Sequence, residues 1–303
     1  MTNRSFVLGL LAALVAALIA SVWQLASRHG VNTTLGPLEL NTLRYGLPSL
    51  VLLPLLLKTG LLPAGLPRRR LALLVIGGGL PFGALVMVGA QWAPAAHMGV
   101  FMAGSMPLFT ALGARLWQGE RIGGQRLWGL LLILLGLLLF AAGDLADAAQ
   151  SWRGDLLFML ASALWAMYTL AFRHSGLTPW QGAAVVNGWS CLLLLPLLLS
   201  VGAPKLLSAP WSDVAWQALG QGLLAGLLGL LVYMAAIERL GAARASLSAA
   251  LVPLLTAGGA SWLLKEPLGA VTLLACAVVA GGVALASGAL RLWVGKEDFS
   301  APA

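Results

Sequence analysis

Residues 25–29 read Leu25-Ala26-Ser27-Arg28-His29, and residues 170–174 read Leu170-Ala171-Phe172-Arg173-His174. Each stretch closes a long apolar run, and the match extends outward in both directions. Upstream, Trp23 falls opposite Tyr168. Downstream, Leu52-Leu53-Pro54-Leu55-Leu56-Leu57 answers Leu194-Leu195-Pro196-Leu197-Leu198-Leu199. Pro107-Leu108, Thr110-Ala111 and Glu120 answer Pro253-Leu254, Thr256-Ala257 and Glu266, and Gly136 answers Gly282. Leucines alone would match between any two apolar helices. The paired Pro, Glu and Arg-His positions are the informative ones, and they show that the chain repeats itself once.

The repeat is built for lipid. Of 303 residues 60% are hydrophobic and 9% are charged, whereas a soluble domain carries about 25% charged residues. The net charge of +8 does not indicate nucleic acid, because the basic residues are scattered at the ends of apolar runs. A spanning helix needs about 20 apolar residues, and ten such runs are predicted: 6–27, 37–57, 71–93, 96–117, 125–143, 154–174, 180–201, 213–238, 243–264 and 268–290. The first follows Arg4, but no cleavage site with a soluble domain behind it appears, so it reads as a helix rather than a leader. Cys191 and Cys276 lie inside apolar runs and have no metal-ligand spacing.

Lys and Arg set the orientation. Of 18 such residues, Arg44 falls inside a span and Arg28, Arg153, Lys205 and Lys265 fall on one side, which leaves 13 on the other. The rich side is the cytoplasm, so both termini are expected there. Each repeat holds five spans, an odd number, so the second copy enters from the opposite side. The predicted fold is therefore all-α and integral to the membrane: ten transmembrane helices as two inverted five-helix repeats around a central cavity. The halves are 1–145 and 150–292, with a cytoplasmic tail at 293–303. Inverted repeats of this kind are a common secondary-transporter architecture, with the solute held near the midplane.

The end of each repeat has a further pattern. A proline lies midway along the fourth helix, followed by small residues, a terminal Glu and a Gly-rich fifth helix. In the second half this reads Pro253, Gly258-Gly259, Lys265-Glu266-Pro267 and Gly281-Gly282; the first half departs with Glu120-Arg121. On these motifs the whole chain resembles the drug/metabolite transporter superfamily, EamA type. Within it, the chain most resembles bacterial exporters of aromatic and other hydrophobic amino acids. The resemblance implies a bacterial inner-membrane location and a cavity lined by helices 1, 3, 4, 6, 8 and 9, with helices 5 and 10 as supports. The implied partners are a small-molecule solute, an amino acid, and the bilayer. Export of a purine, sugar or drug is the alternative reading, with a membrane enzyme or a channel further off. A monomer is compatible with the reading, and the oligomeric state is left open.

Candidate residues follow from helix position. Trp23, Phe82, Phe101, Trp165, Tyr168 and Tyr233 are aromatic and lie in cavity-side helices; Gln24, His97, Ser105 and Ser246 are polar groups within or at the edge of spans. Each has ordinary helix packing as its competing role. Pro81, Pro107 and Pro253 are hinge candidates, since each removes a backbone hydrogen bond. Trp92, Trp117, Trp128, Trp152, Trp180, Trp211 and Trp293 fall at span ends, where the interfacial belt explains them. Arg44 is expected to snorkel or to pair with Glu39. Gly129, Gly136 and Gly143 recur every seventh residue and predict a close helix contact, repeated by Ala275, Gly282 and Ala289. No Asp or Glu falls in the middle of any span, which favours facilitated movement over proton coupling, because a buried carboxylate is the usual relay in a pump. Small multidrug antiporters of the same superfamily use a Glu in the first helix, and none is present here. No nucleophile–base pair, carboxylate pair or metal cluster appears, so no enzymatic activity, metal or cofactor is expected.

Overall fold

The computed structural model describes residues 3–143, 145–240, 245 and 248–288. The candidate Ser246, together with Asp144, Arg244, Ala289, Arg291, Trp293, Lys296 and the tail 293–303, lies outside them. Among the described residues the secondary structure is helical, with no strand.

Ten rods form the bundle. They are α1 (Asn3–Asn32), α2 (Pro37–Val51 followed by Leu53–Thr59), α3 (Arg68–Trp92), α4 (Ala95–Gln118), α5 (Gly124–Gly143), α6 (Leu145–Phe172), α7 (Pro179–Val201), α8 (Trp211–Leu240), α9 (Ser248–Leu263) and α10 (Ala270–Ala286). A short helix, Pro204–Ser208, joins α7 to α8. Seven rods are long and apolar enough to cross a membrane, and α2 makes an eighth if its two pieces, bent by 72°, count as one span. The remaining two, α9 and α10, are apolar but have 16 and 17 described residues. The expected ten spans thus coincide with ten rods, of which seven or eight have full spanning length. Val7, Leu8, Leu11, Leu14, Val15 and Leu18 of α1 are all exposed, as a lipid-facing surface requires.

Local chemistry sets the element ends. The Thr178 hydroxyl accepts from Gln181 N at 3.3 Å while Gln181 Oε1 accepts from Thr178 N at 2.9 Å, a capping box that starts α7. At the inner breaks, side chains from other helices take over the freed backbone groups. α3 is interrupted at Gly79, whose carbonyl accepts from the Tyr45 hydroxyl of α2 at 2.6 Å. The next amide, Leu80 N, donates to Ser190 Oγ of α7 at 3.0 Å. A broken helix is tolerated inside a membrane only where such partners exist. A Cβ at Gly79 would lie 2.5 Å from Ser190 Oγ, so the approach requires glycine. Pro81 opens the helical piece after this break; Pro107 opens another, directly after a π-helical stretch, Met98–Gly104; Pro253 lies within α9. A second π-helical stretch, Ala218–Leu228, interrupts α8.

The packing has the symmetry that the sequence repeats. α1 packs on α8 and α9, and their equivalents do the same: α6 packs on α3 and α4. α5 meets α10 along its length, with Gly129 against Ala286, Gly136 against Val279 and Ala275, and Gly143 against Val271. Residue numbers rise on one side as they fall on the other, so these equivalent helices are antiparallel. The two halves therefore point in opposite directions. At Gly136 a Cβ would come within 2.9 Å of Val279 N, which is why the stripe is glycine.

Candidate functional site

Between the halves, a row of aromatic rings runs from α1 through α3 to α6. Trp23 stacks on Phe82 with centroids 6.3 Å apart. Phe82 meets Trp165 at 5.1 Å, and Trp165 meets Tyr168 at 5.1 Å. Phe172 extends the row at 5.7 Å. Four of the candidate residues, Trp23, Phe82, Trp165 and Tyr168, are thus brought together. Trp165 and Tyr168 are half-buried, while Trp23 and Phe82 are buried.

One end of the row is fixed by amides. Trp23 Nε1 donates to Gln221 Oε1 of α8 at 2.7 Å. Gln221 Nε2 donates to Ser27 Oγ at 3.1 Å and to Gln217 Oε1 at 3.3 Å, and Gln217 Nε2 donates to the Ala26 carbonyl at 2.8 Å. Gln24, one residue past Trp23, faces α9 and accepts from Thr256 Oγ1 at 2.8 Å. Gln24 is 1% exposed, so in this conformation it ties α1 to α9 and does not face an open space. Gln217, Gln221 and Thr256 were not among the candidates. The signal for the glutamines was their i, i+4 spacing inside an apolar run, which puts both on one helix face.

Above the row is Arg44. Its guanidinium carbon lies 4.3 Å from the Trp23 ring centroid, 5.7 Å from that of Tyr45 and 5.9 Å from that of Phe82. It does not pair with Glu39, whose Oε2 instead accepts from Gly36 N at 3.0 Å and caps α2.

The other candidates lie elsewhere. His97 Nδ1 is 2.8 Å from Asp155 Oδ1. The His97 ring packs edge-on against Phe140 at 4.8 Å, with Phe101 6.1 Å away. Ser105 donates to the Phe101 carbonyl inside α4. Tyr233 packs near Ala13, Ala236 and Leu240, between α1 and α8, away from the row. His97, Phe101, Phe140 and Asp155 border a cavity of about 580 Å³ between α4, α5, α6, α9 and α10. Its repeat-related counterpart is a cavity of about 500 Å³ at the opposite end, bordered by Gly123–Arg126 where the first has Gly269–Thr272, and by Ala286 and Ser287 where the first has Phe140 and Ala141.

The matched Arg and Glu residues meet across the halves at both ends. At one end Arg28 Nε lies 2.9 Å from Glu266 Oε1, with side chains 21% and 13% exposed. Arg28 Nη1 also donates to the Ala90 carbonyl at 2.7 Å, and Glu266 Oε2 accepts from Ala95 N at 2.9 Å. At the other end Arg173 lies 3.4 Å from Glu120, with side chains 55% and 39% exposed, and Arg126 stands 3.8 Å from the same carboxylate. The same turn aims both glutamates. Gly119 (φ 67°) and Lys265 (φ 58°) are left-handed, and Glu120 N and Glu266 N then reach back to the Ala114 and Ala260 carbonyls, each at 3.2 Å.

Comparison with known proteins matches this architecture. The profile of the EamA-like transporter family matches residues 7–142 and again residues 152–288. The chain is 26% identical over 261 residues to "Uncharacterized transporter YyaM" of Bacillus subtilis (strain 168), covering 82% of this chain and 84% of that protein. It is 36% identical over 177 residues to "Uncharacterized protein PA1977" of Pseudomonas aeruginosa, covering 58% and 59%. A protein solved by crystallography is similar with a TM-score of 0.60 at 21% identity, over 97% of this chain and 99% of its own. At that identity the likeness is one of fold.

Proposed function

The chain belongs to the EamA-like transporter family, and from that premise we propose that it exports small metabolites, foremost aromatic and other hydrophobic amino acids, by alternating access across a bacterial inner membrane. The observation that carries the reading is the pair of equivalent Arg–Glu contacts, one at each end, of which one is tight and the other loose. Two inverted halves rocking about their shared axis exchange these two conditions, because each half holds one partner of each pair. With the termini cytoplasmic, the Arg28–Glu266 end is external and closed, and the Arg173–Glu120 end is cytoplasmic and looser. The half-buried rings of Trp165 and Tyr168 then offer an apolar side chain a first surface from the cytoplasm. The row Trp23–Phe82–Trp165–Tyr168 favours aromatic and large aliphatic side chains through stacking and burial.

Movement is facilitated rather than proton-coupled in this reading, since α1 carries no acidic residue. Proteoliposomes preloaded with tryptophan, phenylalanine or methionine are expected to release them faster than protein-free liposomes do. The rate is expected to change by less than about two-fold when a pH gradient is imposed. Release of a sugar or nucleoside with no release of amino acids would overturn the substrate assignment. A strong gradient dependence would overturn the energetics and point to the His97–Asp155 pair.

A further inference from the structure

Arg44 lies over the rings of this aromatic row, and its surroundings are incomplete. It lies mid-way along the first piece of α2, where charge is costly unless it is paired. Its Nε and Nη1 atoms are shut off from solvent and have no hydrogen-bond partner. The residue as a whole is half-buried, so these two donors are held off water although the side chain is not fully enclosed. Among the described residues no carboxylate forms an ion pair with it. Glu39, the acid nearest in sequence, is occupied at Gly36 N. The amides of Gln217 and Gln221 are occupied, because they bond each other, Trp23, Ser27 and the Ala26 carbonyl; Asn41 Oδ1, one turn earlier on α2, is buried without a partner and makes no hydrogen bond to the guanidinium.

The guanidinium rests on the face of Trp23, 4.3 Å from its carbon, and beside Tyr45, whose hydroxyl donates to the Gly79 carbonyl. Trp23 cannot turn freely, since its Nε1 is bonded to Gln221 at 2.7 Å. A fixed aromatic face partly offsets the cost of the cation but supplies no acceptor for its N–H groups. A guanidinium presents a planar fork of donors that matches a carboxylate with two parallel hydrogen bonds. The missing element is thus an oxyanion, and one guanidinium balances one negative charge.

We infer that Arg44 anchors the carboxylate of the transported solute, with Trp23 and Phe82 receiving the apolar part beside it. This rests on the amino-acid reading for the identity of the solute, and extends it by naming the group that is recognised and the residue that recognises it. Solutes with a single carboxylate next to an aromatic or branched apolar body are selected; amines without a carboxylate are not.

Calorimetry on the purified full-length protein tests this with four probes: tryptophan, indole-3-propionate, tryptamine and inorganic phosphate. Tryptophan and indole-3-propionate are expected to bind and to compete, with tryptamine and phosphate at least about 10-fold weaker. Arg44→Gln is expected to weaken the two carboxylates by about 10- to 100-fold and to leave tryptamine unchanged. Arg44→Lys, which keeps the charge and loses the fork, falls between. Unchanged carboxylate affinity in Arg44→Gln, or tryptamine binding as tight as tryptophan in the wild type, overturns the inference, as does the absence of binding by either carboxylate. If Arg44→Gln does not elute as a monodisperse protein, the ranking of the four probes on the wild type decides. The two readings fail separately. Arg44-dependent binding of indole-3-propionate with no tryptophan transport removes the amino-acid reading alone. Wild-type tryptophan transport by a folded Arg44→Gln removes the anchor alone.

Discussion

The Arg28 end and the Arg173 end of this molecule are built from the same residues and differ in how firmly they hold. Both use an Arg at the close of the first helix of a repeat, and both use a Glu set by a left-handed residue after the fourth. At the Arg28 end the two side chains are largely buried and each makes a further bond to a backbone group. At the Arg173 end the Glu120 carboxylate is shared, at longer distance, between Arg173 and a half-buried Arg126. Sequence symmetry specifies which residues meet; the conformation specifies how closely. One half-symmetric set of side chains therefore yields a strong latch and a weak one at the same time, and that inequality defines a state of the transporter.

The widest test of this comparison breaks the seam where α5 meets its equivalent α10. Gly136→Leu drives a side chain into the Val279 backbone and is expected to cost about 3 kcal/mol or more, seen as loss of monodisperse protein on size exclusion. Survival with wild-type behaviour would mean that α5 and α10 do not need this seam. Next come the latches themselves. Glu266→Gln leaves Arg28 largely buried without its counter-charge and is expected to cost about 3 kcal/mol. Glu120→Gln acts on exposed groups and is expected to cost less than about 1 kcal/mol. Thermal unfolding midpoints in detergent compare the two, and equal shifts would show that the ends are equivalent in solution. Trp23→Phe keeps the ring but leaves Gln221 Oε1 without its donor, an expected loss of about 1–2 kcal/mol by the same measurement. The smallest effect is at the turns. Lys265→Gly relieves a left-handed side-chain residue and is expected to raise stability by about 0.5–1 kcal/mol. The reverse change at the other end, Gly119→Lys, is expected to lower it by a similar amount. Opposite signs at the two positions would confirm that the same turn is present at both.

Much of the fold was legible because the repeat left paired marks. Arg28 and Arg173, Glu120 and Glu266, and the seven-residue glycine spacing on α5 all have a physical reason to recur, and each occupies an equivalent place in both halves. The left-handed turn falls on a glycine at Gly119 but on a lysine at Lys265, and nothing in a lysine announces positive φ. Gln24 looked like a contact for the solute, but position on a helix does not say which face turns toward α9, and Thr256 occupies it. Asp155 lay at the edge of the span expected at 154–174. In the structure α6 begins at Leu145, which carries Asp155 about three turns into the helix and beside His97. Arg44 was expected to snorkel or to pair with Glu39, and for the pairing sequence proximity misled because Glu39 serves its own helix start. In each case the missing information was rotational: periodicity gives the length of a rod more readily than the direction in which a given side chain points.

The antiparallel glycine seam between α5 and α10 has a consequence for descent. Equivalent surfaces facing each other across a two-fold axis are what two separate copies of a single five-helix ancestor would present, if one were threaded into the bilayer upside down. Joining two such copies in one chain would fix their stoichiometry and free each to diverge, and residues such as Arg44 and His97, which have no basic twin at the matching place, mark where the two halves are no longer interchangeable.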